Sequence, residues 1–487
     1  MEEENYRIES DSMGEVQVPA AAYYGAQTQR AVQNFPISGL RFPREFIRAL
    51  GLIKRAAARV NLELGFLSQE VAEAIIQAAA EAAGGELDEQ FPVDIFQTGS
   101  GTSTNMNANE VIANRAIELL GGEVGSKTPV HPNDHVNRGQ SSNDVIPTAI
   151  HLAVAESIKG GLLPVLMACQ KELEAKSAHF DHIVKIGRTH LQDATPVRLG
   201  QEFGGYARQM ELARARIEQA LAGLMELALG GTATGTGLNA VVGFAPKVIA
   251  QLAEETNLPL EEAKNHFAAQ GGQDALVAAS GSLRVLAVTL TKIGNDLRWL
   301  ASGPRCGLGE LHLPPVQPGS SIMPGKVNPV IIESLLQVAV QVMANDWAVA
   351  IGGQAGNLEL NVMLPVMAYN LLQSVELLRT GISNFTEKCL QGLAANEQRC
   401  RELVEESLAL CTPLAPEIGY DRAAHIAHLA YESGRTVREV ALELEVLPKE
   451  KLLKILNAEE MTRPGVPGGR GSEQRAASTR QEGNGQE

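Results

Sequence analysis

Five helical stretches of unusual length dominate the middle of this chain and restrict what it can fold into. They are predicted at residues 145–177, 199–228, 273–300, 329–351 and 358–393. Several of them exceed the mean length of protein helices, which is roughly 11–12 residues. Their apolar residues recur every three or four positions, as between Leu283 and Leu300. Because such helices pack side by side, the sequence predicts a mainly α fold built on a five-helix bundle, with further apolar surface left for contacts between subunits.

Smaller domains are predicted on both sides of the long helices. Shorter helical patterns at 44–65, 68–85 and 109–122 precede them, and from Ala394 the helices shorten and the composition becomes charged. From residue 463 the chain is rich in Gly, Ser, Gln and Arg without periodic apolar residues, which is typical of disorder. The predicted divisions are a mixed N-terminal domain at 1–138, the central helical bundle at 139–393, a small helical C-terminal domain at 394–460 and a disordered tail at 461–487.

Charge and residue spacing argue against several kinds of partner. The chain has 41 basic and 57 acidic residues, whereas nucleic-acid binding requires clustered Lys and Arg. No uninterrupted run of about 18 apolar residues is present, so no membrane span is predicted. Five cysteines without C-x-x-C spacing predict free thiols in a reducing cytoplasm, and ten scattered histidines predict no metal site.

Four polar loops interrupt the helical pattern, and each ends where a helix begins. They lie at 97–107, 131–150, 185–202 and 318–330. Helix amino termini leave unpaired N–H groups and a partial positive charge, both of which suit an anion. Each Ser, Thr or Asn in these loops can equally be a simple helix cap. Because the loops also contain His190 and Lys326, the four together predict a shared pocket for a small polycarboxylate.

These loops resemble the fumarase/aspartase superfamily, and within it the class II, iron-independent fumarate hydratases. The matching blocks read "GSGTSTNMNANEV", "HPNDHVN…QSSND", "GRTHLQDATP" and "GSSIMPGKVNP", and the similarity extends from about residue 11 to about residue 422. The resemblance implies an L-aspartase/fumarase-like fold, with the five-helix bundle flanked by two smaller domains. It also implies a homotetramer with a twenty-helix core, whose active sites take loops from three subunits.

A few positions distinguish members of this superfamily. His190 and His131 stand where aspartases typically have Gln and Asn, and Gly325 stands in a loop where they usually have Ala. The resemblance therefore implies a fumarate hydratase of the citric acid cycle, which interconverts fumarate and (S)-malate without a metal or organic cofactor. An aspartate ammonia-lyase is the alternative. A catalytically silent structural homologue is a more distant one, since such a protein would not need the catalytic residues to be intact.

The resemblance also implies roles for the catalytic residues. Ser320 would be the base, acting as an alkoxide whose pKa is lowered by Lys326, backbone N–H groups and exclusion of water. His190 would be the acid, acting through a water and polarised by Glu333. Ile322 and Met323 would be apolar contacts that let the loop close over the pocket.

The remaining site residues are implied to bind carboxylates. The substrate-binding set is Ser100, Gly101, Thr102, Ser141, Ser142, Asn143, Thr189, Ser321, Lys326, Val327 and Asn328. A second dicarboxylate site is implied at His131, Pro132, Asn133 and Asp134. The sequence gives this second site less support than the first, because Thr128 stands where some members have a basic residue. A plain turn also explains the residues at 131–134. Gly139 also departs from the bulkier family residues, which would loosen that loop.

Overall fold

The structure, a computed structural model, describes residues 5–468, so positions 469–487 of the predicted tail lie outside the described residues. The chain divides into two compact units. The first contains the described residues up to Leu166, together with Leu212–Leu290 and Leu336–Ile382. The second contains Met167–Glu211, Thr291–Leu335 and the described residues from Ser383 onward. The predicted domain limits stay a prediction.

Helices form most of both units, which confirms the mainly α fold. Within residues 5–468 the α-helices are α1 (Ala26–Asn34), α2 (Arg44–Glu63), α3 (Gln69–Gly84), α4 (Thr102–Leu119), α5 (Ser142–Glu156), α6 (Leu163–His179), α7 (Leu199–Gly223), α8 (Phe244–Thr256), α9 (His266–Gly271), α10 (Asp274–Leu300), α11 (Val330–Gly353), α12 (Leu364–Phe385), α13 (Glu397–Glu406), α14 (Ala415–Ile418), α15 (Tyr420–Ser433), α16 (Val437–Glu443) and α17 (Lys449–Ile455).

The predicted long helices are present with small changes at their ends. The first runs through α5 and α6, which are joined by a π-helical segment at Ser157–Leu162. The others are α7, α10, α11 and α12. The last begins at Leu364 rather than at 358, because residues 356–361 form a short strand pair. Pro365 then lies in the first turn of α12, where its missing N–H costs no helical hydrogen bond.

Strands are short and pair in twos. They are β1 (Tyr6–Asp11), β2 (Gly14–Pro19), β3 (Val184–Thr189), β4 (Gln192–Arg198), β5 (Glu226–Leu227), β6 (Glu261–Glu262), β7 (Leu311–His312), β8 (Gly356–Asn357), β9 (Leu360–Asn361) and β10 (Ala394–Ala395). The pairs β1–β2, β3–β4, β7–β10 and β8–β9 are antiparallel, whereas β5–β6 is parallel. The hairpin β3–β4 carries two of the predicted site residues, Thr189 and His190, at its tip.

In the first unit, α2 packs closely against α3. Gly51 makes this approach possible, because a Cβ atom at that position would lie 2.7 Å from the Ala83 nitrogen and 2.9 Å from the Ala79 oxygen. The long helices of this unit are also joined by buried polar groups. Asp346 on α11 accepts a hydrogen bond from Ser280 on α10 at 2.8 Å. Such satisfied polar pairs fix which helix faces meet.

In the second unit, the short C-terminal helices have their own apolar core. The cluster includes Leu410, Ile426, Val437 and Ile455, all of which are buried. Ile186 of β3 belongs to the same cluster. The base of the β3–β4 hairpin is therefore anchored in this core while its tip stays exposed.

Three helical segments are long and apolar enough to cross a membrane when judged by length and composition alone. They are Ser142–His179, Asp274–Leu300 and Val330–Gly353. The sequence predicts no span because no uninterrupted apolar run is long enough, whereas a hydropathy average tolerates interspersed polar residues. The bond between Ser280 and Asp346 lies on two of these segments, and it is the kind of contact that helices make when they pack on one another.

A half-buried histidine on α5, His151, predicts sensitivity of the fold to acid. The Nδ1 atom of His151 lies 3.2 Å from the Leu224 carbonyl oxygen, and burial lowers the pKa of His151 from 6.5 to about 4. Between these values the unfolded chain takes up a proton that the folded chain does not. The stability that His151 contributes is therefore complete well above pH 6.5, and roughly 2–3 kcal/mol of it is lost as the pH drops to 4.

The variant His151→Gln is expected to reduce this slope, since it removes the group that titrates. Urea unfolding midpoints measured across the interval from pH 6.5 to 4 check the expectation. His179→Asn, at the exposed end of α6, is the matched control and should keep the slope. Equal slopes for the His151 variant and the unchanged protein would contradict the assignment.

Candidate active site

The Ser320 loop, residues 319–328, connects β7 to α11 and closes on itself. The Gly319 nitrogen donates to the Lys326 carbonyl oxygen at 2.8 Å, and the Asn328 Nδ2 atom donates to the Gly319 carbonyl oxygen at 2.6 Å. A Cβ atom on Gly319 would lie 2.5 Å from the Lys326 oxygen, so only glycine permits this closure. The loop is therefore a compact unit whose two ends meet before α11 begins.

Within this loop, two backbone groups point at the predicted base. The Oγ atom of Ser320 accepts hydrogen bonds from the nitrogens of Met323 at 3.0 Å and Ile322 at 3.3 Å. N–H donors directed at an oxygen favour its charged form. Ile322 and Met323 are 83% and 49% exposed. Their apolar surface is therefore available for contact with a substrate or with another copy of the chain.

A cavity of about 620 Å³ lies beside the carboxyl-terminal half of the same loop. Lys326, Asn328 and Glu333 line it together with Arg298 and Trp299 from α10. Within residues 5–468, no hydrogen-bond or ion-pair partner is found for the Lys326 ammonium, which leaves this cation available to an anion. Val327, which also lines the cavity, is half exposed, and Ser321 is exposed in the loop.

The second polar element of this unit is the tip of the β3–β4 hairpin. His190 and Leu191 form the two-residue turn, with φ values of +56° and +60°. Positive φ at both positions matches the twist of a tight hairpin; His adopts it more readily than most residues, whereas it is unusual for Leu191. Thr189 and His190 are exposed. A non-glycine turn of this kind costs conformational free energy, which points to a functional requirement for its side chains.

Buried ion pairs hold strand β3 of this hairpin, one of them next to its tip. Arg188 donates to both carboxylate oxygens of Glu310, at 2.8 and 3.2 Å, and Glu310 is fully buried. The buried Lys185 ammonium lies 3.5 Å from Glu310 and 3.0 Å from Glu202. Two cations facing two carboxylates balance their charge, so this polar cluster is tolerated away from water. It fixes the hairpin that ends in His190.

The predicted partners His190 and Glu333 are not joined within one copy of the described chain by any hydrogen bond or ion pair. Glu333 is exposed on the first turn of α11. The resemblance places residues from different subunits in each active site, and one copy does not test such a pairing. The pair therefore stays a prediction.

In the first unit, the predicted loop before α4 has a glycine-dependent turn. Gly101 has a φ of +74°, and a Cβ atom there would lie 2.9 Å from Cγ2 of Ile146. The hydroxyl oxygens of Ser100 and Thr102 are 2.8 Å apart, and Thr102 is the first residue of α4. The two hydroxyls are thus gathered at a helix amino terminus, as an anion-binding role requires.

The predicted loop before α5 is bonded to α4. Ser141 is the amino-terminal cap of α5: its Oγ atom accepts from the Asn143 nitrogen at 3.3 Å, while its nitrogen donates to Asp144 at 2.9 Å. The capping role of Ser141 is thereby confirmed. The Oγ atom of Ser142 accepts from Nδ2 of Asn105 on α4 at 3.0 Å. The structure therefore brings together the loops of Ser100 and Ser142.

The proposed second site has the geometry of a compact turn. The Nδ1 atom of His131 accepts from the nitrogens of Asn133 and Asp134, both at 3.2 Å, and Pro132 begins a single π-helical turn. Lys127 donates to the Ser10 carbonyl oxygen. The turn accounts for these residues, and the second dicarboxylate site stays a prediction.

Sequence reasoning missed two residues that hold the first unit's loops. Asn105 lies within the block "GSGTSTNMN", where its repeated asparagines were a usable signal. Lys54 on α2 is fully buried and donates to the side chains of Asn137 and Gln140. Its signal was a lysine on the face that Phe46, Leu50, Ile53 and Ala57 define as apolar.

Comparison with known proteins agrees with these features. A family model described as "Lyase" matches residues 14–344, and one described as "Fumarase C C-terminus" matches residues 410–463. The chain is 55% identical over 466 residues to a class II fumarate hydratase of Halobacterium salinarum, covering 96% of this chain and 99% of that protein. It is 54% identical over 455 residues to one from Thermosynechococcus vestitus, covering 93% and 97% respectively.

A solved structure extends the agreement to the fold. The class II fumarase from Schistosoma mansoni superposes with a TM-score of 0.92 at 42% identity, and the match covers 94% of this chain and all of that one. These similarities span both units and all four predicted loops. The chain therefore belongs to the lyase family that contains the class II fumarate hydratases.

Proposed function

We propose that this chain is a fumarate hydratase that interconverts fumarate and (S)-malate. The observation that carries the proposal is the Ser320 loop, in which two backbone N–H groups hold the serine oxygen and Lys326 has no partner among the described residues. A weakly acidic carbon can be deprotonated only by a strong base next to concentrated positive charge. The high identity to class II fumarate hydratases supports the same reaction.

In the malate direction, the Ser320 alkoxide takes a proton from the carbon next to a carboxylate. The electron pair left on that carbon moves into the carboxylate, and Lys326 stabilises the resulting dianionic form. The pair then forms the new double bond while the C–O bond breaks. A proton from His190, delivered through a water and supported by Glu333, leaves with the hydroxide as a second water.

The carboxylates are held by hydroxyl, amide and backbone groups at helix amino termini. The proposed substrate-binding residues are Ser100, Gly101, Thr102, Ser141, Ser142, Asn143, Thr189, Ser321, Lys326, Val327 and Asn328. The turn at 131–134 is proposed as a separate dicarboxylate site with no part in the chemistry.

We further propose a homotetramer in the cytoplasm, in which each active site takes loops from three copies. Apolar side chains exposed on the long helices support this assembly. They are Met167, Val288, Trp299, Val340, Trp347 and Ile351. Exposed apolar surface on helices of this length is typical of subunit contacts. Light scattering during gel filtration should give four times the 51.9-kDa chain mass.

The reaction itself is tested with purified protein and two substrates. Fumarate absorbs ultraviolet light through its conjugated double bond, so its consumption is followed directly, with ammonia measured in parallel. Loss of fumarate without ammonia, unchanged by a chelator, supports the hydratase. Ammonia released from aspartate would instead identify an ammonia-lyase. Neither activity would point to the silent structural homologue.

A further inference from the structure

A fully buried lysine outside the reacting groups lies beneath one of the substrate-binding loops. Lys54 is 0% exposed on α2, and the helix face around it is otherwise largely apolar. A buried cationic group is very costly unless its donors are satisfied. The Nζ atom donates to Oδ1 of Asn137 at 2.9 Å and to Oε1 of Gln140 at 3.0 Å. Lys54 therefore bonds directly to the segment that precedes Ser141.

This contact continues toward the substrate-binding serine. The Oδ1 atom of Asn137 also accepts from Nδ2 of Asn105 at 3.3 Å, and the same Asn105 nitrogen donates to Oγ of Ser142 at 3.0 Å. In addition, Nδ2 of Asn137 donates to the Gln140 carbonyl oxygen at 3.2 Å, which folds the segment back on itself. The chain of bonds runs from Lys54 through Asn137 and Asn105 to Ser142.

The lysine suits this role in either protonation state. Burial lowers the pKa of Lys54 to about 7, and the buried carboxylate of Asp144 opposes that shift. A neutral amine still has two N–H groups, and the structure gives it two oxygen acceptors. Gln140 matters particularly, because Lys54 is the only donor to its Oε1 atom among the described residues.

We propose that Lys54 is a positioning residue that sets the loop of Ser141, Ser142 and Asn143 for the substrate carboxylate. The inference rests on the proposed function, since it assigns Lys54 to that same site. Lys54 touches no reacting atom; it acts through Asn137, Gln140 and Asn105. Its removal should therefore weaken substrate binding more than it slows the chemical step.

The test is Lys54→Met, which keeps the unbranched shape of the side chain, shortens it by one atom and removes both hydrogen bonds donated by the amine. The KM for fumarate is expected to rise on the order of tenfold, because loop groups displaced by part of an ångström bind less well. The value of kcat should change by less than about threefold. Inhibition by succinate, a dicarboxylate that cannot react, should weaken by the same factor as KM rises. Leu50→Ala, one turn earlier on the same buried face, is the control: it should lower the unfolding temperature and leave KM unchanged.

A second variant keeps the test decisive if Lys54→Met does not fold. Gln140→Met removes the acceptor at the other end of the contact, from a half-buried position. It should raise KM in the same direction, and the double variant should be no worse than the more severe single one. An unchanged KM in the folded variants would overturn this inference and leave the proposed function standing. A wild-type protein that does not hydrate fumarate would overturn the proposed function and, with it, this inference.

Discussion

Replacing Ser320 with alanine is expected to lower kcat for malate dehydration by about 10³-fold or more, because the reaction then lacks its proposed base. The two N–H donors from Ile322 and Met323 would remain, but they would have no oxygen to stabilise. The loop should still close, since its closing bonds come from Gly319, Lys326 and Asn328. The KM should therefore change little while turnover is nearly lost.

The measurement is fumarate formation from malate, together with gel filtration to show that the assembly is unchanged. Ser383→Ala is the matched control, because that hydroxyl lies on α12 and bonds to Glu387 at 2.8 Å, outside the loop. The control should retain full activity. Turnover by the Ser320 variant close to that of the control would remove Ser320 from its role.

Much of the fold was predictable because its signals are local. The spacing of Leu283, Leu286, Leu290, Ile293 and Leu297 predicted α10 to within one residue at its start, and the helix ends at Leu300 as expected. The start of α12 was not predictable in the same way. Leu358 and Leu360 fit a helical pattern, but pairing of β8 with β9 determines the conformation of residues 356–361, and that pairing depends on neighbours rather than on propensity.

In the candidate site, too, some features follow from local sequence and others depend on packing. The cap at Ser141 follows from the Ser-x-x-Asp pattern, whereas closure of the Ser320 loop depends on bonds among Gly319, Lys326 and Asn328 that the sequence does not specify. The positive-φ turn at His190 did not follow from local pattern, and the local signal for the buried donor Lys54 was limited to its place on an otherwise apolar helix face. A lysine in a helix ordinarily lies at the surface, and only the packing of α2 beneath a polar loop reverses that expectation.

His190→Asn is expected to lower kcat by about 10²-fold, because the hydroxide must then leave without its proposed proton donor. The hairpin should stay folded, since Arg188 next to its tip remains bonded to Glu310. The matched control is His182→Asn. His182 is an exposed histidine just before β3, and its Nε2 atom lies 3.4 Å from Oε1 of Glu397. This variant should retain activity. Steady-state rates of malate dehydration check both variants.

Exchange of hydrogen in heavy water separates the roles of the two residues. If Ser320 removes the carbon-bound proton before hydroxide leaves, the His190→Asn enzyme should still place deuterium at that carbon of malate, whereas Ser320→Ala should not. Proton NMR of recovered malate measures the exchange. Because the two residues act in one sequence of steps, the double variant should be little slower than Ser320→Ala alone. Loss of exchange in the His190 variant, with exchange retained in the Ser320 variant, would reverse the assignment of base and acid.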